Sequence, residues 1–198
     1  MARTYRMTAR AAGAARTAEQ LIGAMQALFV ELPFHEITLE RVAERAGVTL
    51  QTLLRRFGSK NGLVAAAAAE GLARVEAQRR EAAPGDARGA AKNLLDHYES
   101  WGSVSLRLLA QEDGFPEIAA VARSGRATHV AWVERVFADD LKRRRGRARA
   151  ILRAQLIAVC DVYVWKILRR DLGMSRADAE RALLGMIEGV RQQAAGDR

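Results

Sequence analysis

Between Gly47 and Leu63 the chain reads GVTLQTLLRRFGSKNGL. Gln51, Thr52, Arg55 and Arg56 stand close together there, and side chains of these types can read base edges. Glutamine bonds adenine through two atoms, arginine does the same to guanine, and threonine or leucine can meet a thymine methyl. Leu50 and Leu54 share that region. Thr38, Thr49 and Lys60 fall at expected helix N-termini, where backbone N–H groups and the helix dipole already favour a phosphate oxygen. Catalytic chemistry finds no comparable support. His35, His97 and His129 are far apart, without metal-ligand spacing, and no nucleophile–base pair stands out. Cys160 is the only cysteine and lies in an apolar stretch, which suits inert packing. It permits neither an internal disulfide nor a cysteine metal site, so a reducing cytoplasm is expected. No catalytic residue, metal or cofactor is expected.

Such a set of side chains needs a scaffold, and the flanking residues supply one. Thr38 is a natural N-cap for a helix whose inward face is Leu39, Val42, Ala43 and Ala46. Gly47 follows the last periodic residue, where a left-handed backbone suits glycine. Thr49 can cap a second short helix, Leu50 to Phe57, with Val48, Leu53 and Phe57 turned inward. Two short helices joined by three residues including glycine describe a helix-turn-helix over 38–57, whose second helix enters the major groove of double-stranded DNA. The same spacing also suits a simple helical corner. Before it, Leu21, Met25, Leu28 and Leu32 make one stripe of a helix that Pro33 ends. Arg3, Arg6, Arg10 and Arg16 form a basic N-terminal arm, either a solvated tail or a backbone or minor-groove contact.

The segment Ile37 to Val64, ITLERVAERAGVTLQTLLRRFGSKNGLV, resembles the DNA-binding segment of TetR-type (TetR/AcrR) transcriptional regulators. Their pattern has a Thr opening the second helix, an Ala-Gly-Val turn, Leu-Tyr-x-His-Phe, then Ser/Asn-Lys-x-x-Leu. Here those positions are Thr38, Ala46-Gly47-Val48, Leu53-Leu54-x-Arg56-Phe57 and Ser59-Lys60-x-x-Leu63. The resemblance implies phosphate contacts for Thr38, Thr49 and Lys60. Leu54 stands where the family has a phosphate-contacting Tyr, and Arg56 where it has His, so that contact is expected to move to Arg56. Gly62 replaces a frequent Glu, which suggests a loosely started fourth helix.

The rest of the chain fits an all-α protein of about nine helices. Of 198 residues, 49% are hydrophobic, enough for a substantial core, and the net charge of +9 favours polyanionic partners. A high-Arg genome would produce the same charge. No run is long and apolar enough for a membrane span. After a capped helix from Lys60 to about Glu81 and the break Ala83 to Asp86, helices are expected at about 87–101, 103–113, 117–139, 147–171 and 176–194. This divides the chain into a DNA-binding domain, 13–73, and a C-terminal domain, 83–198.

The resemblance implies that the second domain binds a small-molecule effector and forms a homodimer through its last two helices. Ile151 to Leu168 is apolar on nearly all sides, so something must cover it: a partner subunit or the chain's own core. Ile157, Val164, Leu168, Leu183, Met186, Ile187 and Val190 are the expected interface. Asp161 interrupts the run as a helix cap, a cross-subunit partner or a polar anchor for a ligand. Trp101, Glu112, Phe115, His129, Trp132, Asp161, Tyr163 and Trp165 outline the expected effector pocket, with ordinary packing as the alternative for each. The run Leu141 to Arg153 carries seven Lys or Arg and no acid, and is expected to be a solvated loop. The expected function is a DNA-binding transcriptional regulator, a repressor released by its effector. The alternative is a DNA-binding regulator or architectural protein without one.

Overall fold

The computed structural model describes residues 2–196, with side chains described from 12 to 192. The side chains of Arg3, Arg6 and Arg10 therefore lie outside the described residues, while Arg16 is exposed. No strand occurs among the described residues. The helices are α1 (Ala2–Glu31), α2 (Leu39–Arg45), α3 (Leu50–Phe57), α4 (Lys60–Arg80) and α5 (Ala87–Gln111). Then follow α6 (Pro116–Val136), α7 (Ala138–Lys142), α8 (Gly146–Val159), α9 (Val162–Lys166), a π-helical segment Ile167–Asp171, and α10 (Arg176–Gly196). Contacts divide the chain into two compact units: Met1–Gly71 with Gly114–Glu117, and Leu72–Asp113 with Ile118–Arg198.

The first unit is built on Leu21, Met25, Leu28 and Phe29 of α1, which pack with Phe34, Ile37, Val42, Leu53 and Leu63, all buried. Leu32, on the same expected stripe, is only half-buried. A bidentate pair from Arg45 to Glu31, at 2.8 and 2.6 Å, ties α2 to α1 across the surface.

The second unit departs from the expected helices in three places, each for a physical reason. The helices expected at 87–101 and 103–113 are one, α5, capped by Asp86, whose carboxylate accepts from Gly89 N at 2.9 Å. Gly102 sits mid-helix without breaking it, because the Trp165 ring occupies the space of its missing side chain. The helix expected over 117–139 stops at Val136, and Phe137, fully buried, sits outside helical geometry before α7. The apolar helix expected over 147–171 is cut at Cys160 and Asp161. Asp161 takes an extended backbone and accepts from Tyr163 N at 3.0 Å, capping α9. The core joins Leu94, Leu95, Trp132, Val133, Phe137, Leu152, Leu156, Leu183 and Ile187.

Candidate nucleic-acid interface

The turn between α2 and α3 is made by local hydrogen bonds. Gly47 has φ 67°. Its N–H reaches Glu44 O and the Val48 N–H reaches Ala43 O, both at 3.0 Å. This is the Schellman pattern, which satisfies the last carbonyls of α2 and turns the chain sharply. Thr49 then starts α3, its hydroxyl oxygen accepting from Thr52 N at 3.2 Å. At α2, Thr38 does the same with Arg41 N at 3.3 Å. In each cap the oxygen lone pair is used inward. The Thr38 hydroxyl proton is turned to the Glu40 carboxylate, whose pKa is lowered by its own backbone N–H and then by Thr38. The Thr49 and Thr52 hydroxyls are 3.0 Å apart and share one proton, which leaves the other to point outward.

Leu53 anchors α3 and is fully buried, with Val48 and Phe57 half-buried beside it. The opposite face presents Gln51, Leu54, Arg55 and Arg56 to solvent, with Leu50 and Thr52 half-exposed at the helix start. Leu54 is 40% exposed, so the leucine that replaces the family's tyrosine lies on the outward face. Arg41 and Arg45 of the preceding helix are taken by Glu36 and Glu31, whereas Arg55 and Arg56 extend into solvent. The arrangement offers adjacent base-reading and phosphate-neutralising groups on one rigid helix.

Two expectations at the start of α4 are corrected. Lys60 does not point outward to a phosphate. Its Nζ donates to Phe34 O at 2.9 Å and sits 3.9 Å from the centre of the Phe34 ring. Partial burial lowers its pKa, partly offset by Glu117. Phe34 in turn meets Phe115 edge-on, with ring centres 5.0 Å apart. Gly62 does not loosen the helix. Ser59 caps it by accepting from Gly62 N at 3.1 Å, and a Cβ on Gly62 would stand 2.1 Å from Phe57 O. Glycine is what lets the end of α3 approach the start of α4.

The residues expected to line an effector pocket come together only in part: His129, Trp132, Asp161 and Trp165 lie around Tyr98 and Arg79. Phe115 belongs with the first unit, against Phe34. Glu112 is held by Arg126 in a bidentate pair of 3.0 and 2.8 Å. Tyr163 is 52% exposed and Trp101 half-buried. Trp165 lies on Gly102 and donates to Glu99 at 3.2 Å. Asp161 serves as the α9 cap. His129 and Trp132 remain, and they lie beside Arg79, His97 and Tyr98, which the sequence did not single out. Trp132 Nε1 donates to Arg79 O at 3.0 Å, and the Arg79 guanidinium lies 4.8 Å from the Trp132 ring centre. Arg79 sits in an otherwise ordinary charged stretch, and only burial sets it apart. An open surface depression of about 340 Å³ lies elsewhere, lined by Asp140, Glu188, Arg191 and Gln192. Cys160 is buried, and burial pushes its thiol up to about 12.

The expected dimer residues also separate. Leu168, Leu183 and Ile187 fill the unit's own core and cannot face a partner. Ile157, Val164 and Val190 pack partly against that core. Met186 is exposed, and so are Ile151, Ile167 and Leu172, which were not expected. The break at Asp161 interrupts the straight periodicity behind the expectation for Val164 and Leu168, while Leu183 and Ile187 of the continuous α10 turn to the unit's own core. No helix among the described residues is long and apolar enough to cross a membrane.

Residues 21–67 match the model for bacterial regulatory proteins of the tetR family. No curated protein matches the sequence. Among solved structures, a transcriptional regulator from Rhodococcus sp. Rha1 superposes with a TM-score of 0.69 at 19% identity, covering 89% of this chain and 96% of its own. A protein described as a TetR-family transcriptional regulator from Rhodococcus sp. gives 0.61 at 22% identity, covering 88% and 98%. At such identities the structures share the fold. Residues 21–67 are thus similar to the tetR-family module, and the described helices share the fold of these regulators.

Proposed function

We propose that this chain is a sequence-specific transcriptional repressor that binds operator DNA as a homodimer and is released by a small-molecule effector. The observation that carries the DNA reading is the solvent face of α3, where Gln51, Leu54, Arg55 and Arg56 stand together above a buried Leu53. Leu50, Gln51 and Thr52, at the helix N-terminus, meet base edges, while Arg56 and the Thr49 hydroxyl bind phosphates. Arg55 extends the reading face. The exposed Ile151, Tyr163, Ile167, Leu172 and Met186 support a homodimer, since apolar side chains in such number favour cover by a second copy. Two copies would set two recognition helices one helical turn apart on DNA. An effector releases the DNA by binding more tightly to a dimer in which that spacing no longer fits. Cytoplasmic location follows from this role.

The test is a gel shift with the DNA upstream of the chain's own gene. A Gln51→Ala, Arg55→Ala double variant, checked for intact dimer by light scattering, should lose the specific complex. Unchanged binding would overturn the assignment of α3. One observation favours a regulator without an effector: two of the aromatics expected in a pocket, Phe115 and Trp165, are spent on packing. DNA affinity that no small molecule alters would establish that reading.

A further inference from the structure

The second unit holds a cluster of buried polar groups that its own packing leaves incomplete. Arg79 on α4 and His97 on α5 are 4% and 5% exposed. His129 lies one turn before Trp132 on α6. The Arg79 guanidinium lies over two aromatic rings, 4.8 Å from the centre of Trp132 and 5.3 Å from that of Tyr98. The His97 ring stands 4.9 Å from the Tyr98 ring. Burial, and then the charges of Arg79 and His129, lower the His97 pKa to about 2, and burial with a smaller effect of Arg79 lowers that of His129. These groups therefore share one region of the interior.

Three atoms of the cluster are buried without a hydrogen-bond partner: Arg79 Nη1, His97 Nδ1 and His129 Nδ1. A buried guanidinium stays charged, and leaving it uncompensated is costly. The carboxylate whose charge reaches the cluster, Asp161, accepts from Tyr163 N as the α9 cap and makes no hydrogen bond to these three atoms. The Tyr98 hydroxyl donates to Cys160 O at 2.9 Å and its oxygen accepts from the Arg79 guanidinium, whose Nη1 still has no partner. The two kinds of unmet atom differ in what they want. Arg79 Nη1 is a cationic donor that needs an acceptor, preferably an anion. His129 Nε2 is 3.0 Å from Ile157 O. A carbonyl only accepts, so Nε2 carries the proton and Nδ1 is left as a bare acceptor that needs a donor.

We propose that Arg79, His97 and His129 form a buried receptor for a small hydroxy acid, its carboxylate on the Arg79 guanidinium and its hydroxyl donating to His129 Nδ1. His97, with its proton on Nδ1, donates to the oxygen of the same hydroxyl, and the Trp132 and Tyr98 rings stand beside the site. This deepens the effector-responsive reading and rests on it for its biological role, but not for its chemistry.

The test uses full-length protein labelled with ¹⁵N, following the imidazole nitrogens of His97 and His129 by long-range correlation spectra. Glycolate, lactate and mandelate span the size range. Acetate removes the hydroxyl, glycolamide removes the charge, and chloride at matched ionic strength controls for screening. At least one hydroxy acid should shift both histidines saturably, more tightly than acetate or glycolamide. Arg79→Lys keeps the charge but loses the planar fork, and should weaken that binding about tenfold or more. His129→Gln should remove the preference for hydroxy acid over acetate. The ligand comparisons on unaltered protein stand even if a variant fails to fold. No saturable shift with any acid, or equal shifts with chloride, would overturn the receptor and leave internal water as the partner of these atoms. Saturable binding with unchanged affinity for the upstream DNA would support the receptor and overturn its role as the effector site. Acid-driven DNA release without histidine shifts would overturn the receptor and leave the effector reading standing.

Discussion

Arg56→Gln tests how the DNA contact is divided along α3. The side chain is exposed on the outward face, in the last turn, two residues after the exposed Leu54. Its proposed partner is a phosphate, not a base, so its loss should weaken binding on every sequence and flatten the salt dependence. Each phosphate contact contributes about 0.9 to the slope of log affinity against log salt. Across a fourfold change in salt, one lost contact changes affinity by about 3.5-fold, and the two contacts of a dimer by about 12-fold. The variant should therefore lose about 12-fold less affinity than the unaltered protein between 50 and 200 mM salt. Fluorescence anisotropy with a labelled upstream duplex measures this directly. Parallel salt lines would show that Arg56 neutralises no phosphate. A loss confined to one DNA sequence would make it a base reader. Either result refutes the division of roles drawn along α3.

Two further predictions concern the second unit. Gly102→Ala should destabilise the protein, because the new Cβ would stand 2.4 Å from the Trp165 ring. Overpacking of that kind costs about 1–3 kcal/mol, or about 2–12 °C in a chain of this size. Thermal unfolding checks it, and an unchanged melting temperature would mean the Trp165 ring moves without cost. Stability should also fall as pH drops below about 6.5. Burial, with Arg79 and His129 nearby, holds folded His97 neutral down to about 2, whereas in the unfolded chain it protonates near the ordinary histidine value of about 6.5. Its contribution is thus complete above the unfolded pKa and is lost as pH falls toward the folded one. The loss reaches about 1.4 kcal/mol per pH unit, and about 2 kcal/mol between pH 6.5 and 5. The lowered pKa of His129 acts in the same direction. Urea unfolding at pH 7 and 5 measures it, and His97→Gln should reduce the slope. A flat profile in the unaltered protein would refute the neutral, buried state of His97.

What the sequence determined by itself is the recognition module, because the interactions that make it are short in sequence. The Thr38 and Thr49 caps close over three residues. The Gly47 turn closes over three and five residues through Glu44 and Ala43, and Leu53 follows the 3.6-residue period. All of these signals lie within one or two helical turns, so they survive in a string of letters. The tertiary structure alone decided the direction of Lys60, since the Phe34 carbonyl that claims it is 26 residues away. It also kept α5 whole, because the Trp165 ring that fills the space at Gly102 comes from a distant helix. It made Asp161 the cap of α9, and it turned the expected dimer residues Leu168, Leu183 and Ile187 into the second unit's core. Arg79 is the clearest case. Nothing in its neighbourhood along the chain distinguishes it from a solvated arginine. Only the packing of α4 against α5 and α6 removes it from water and leaves its charge to be answered by something else.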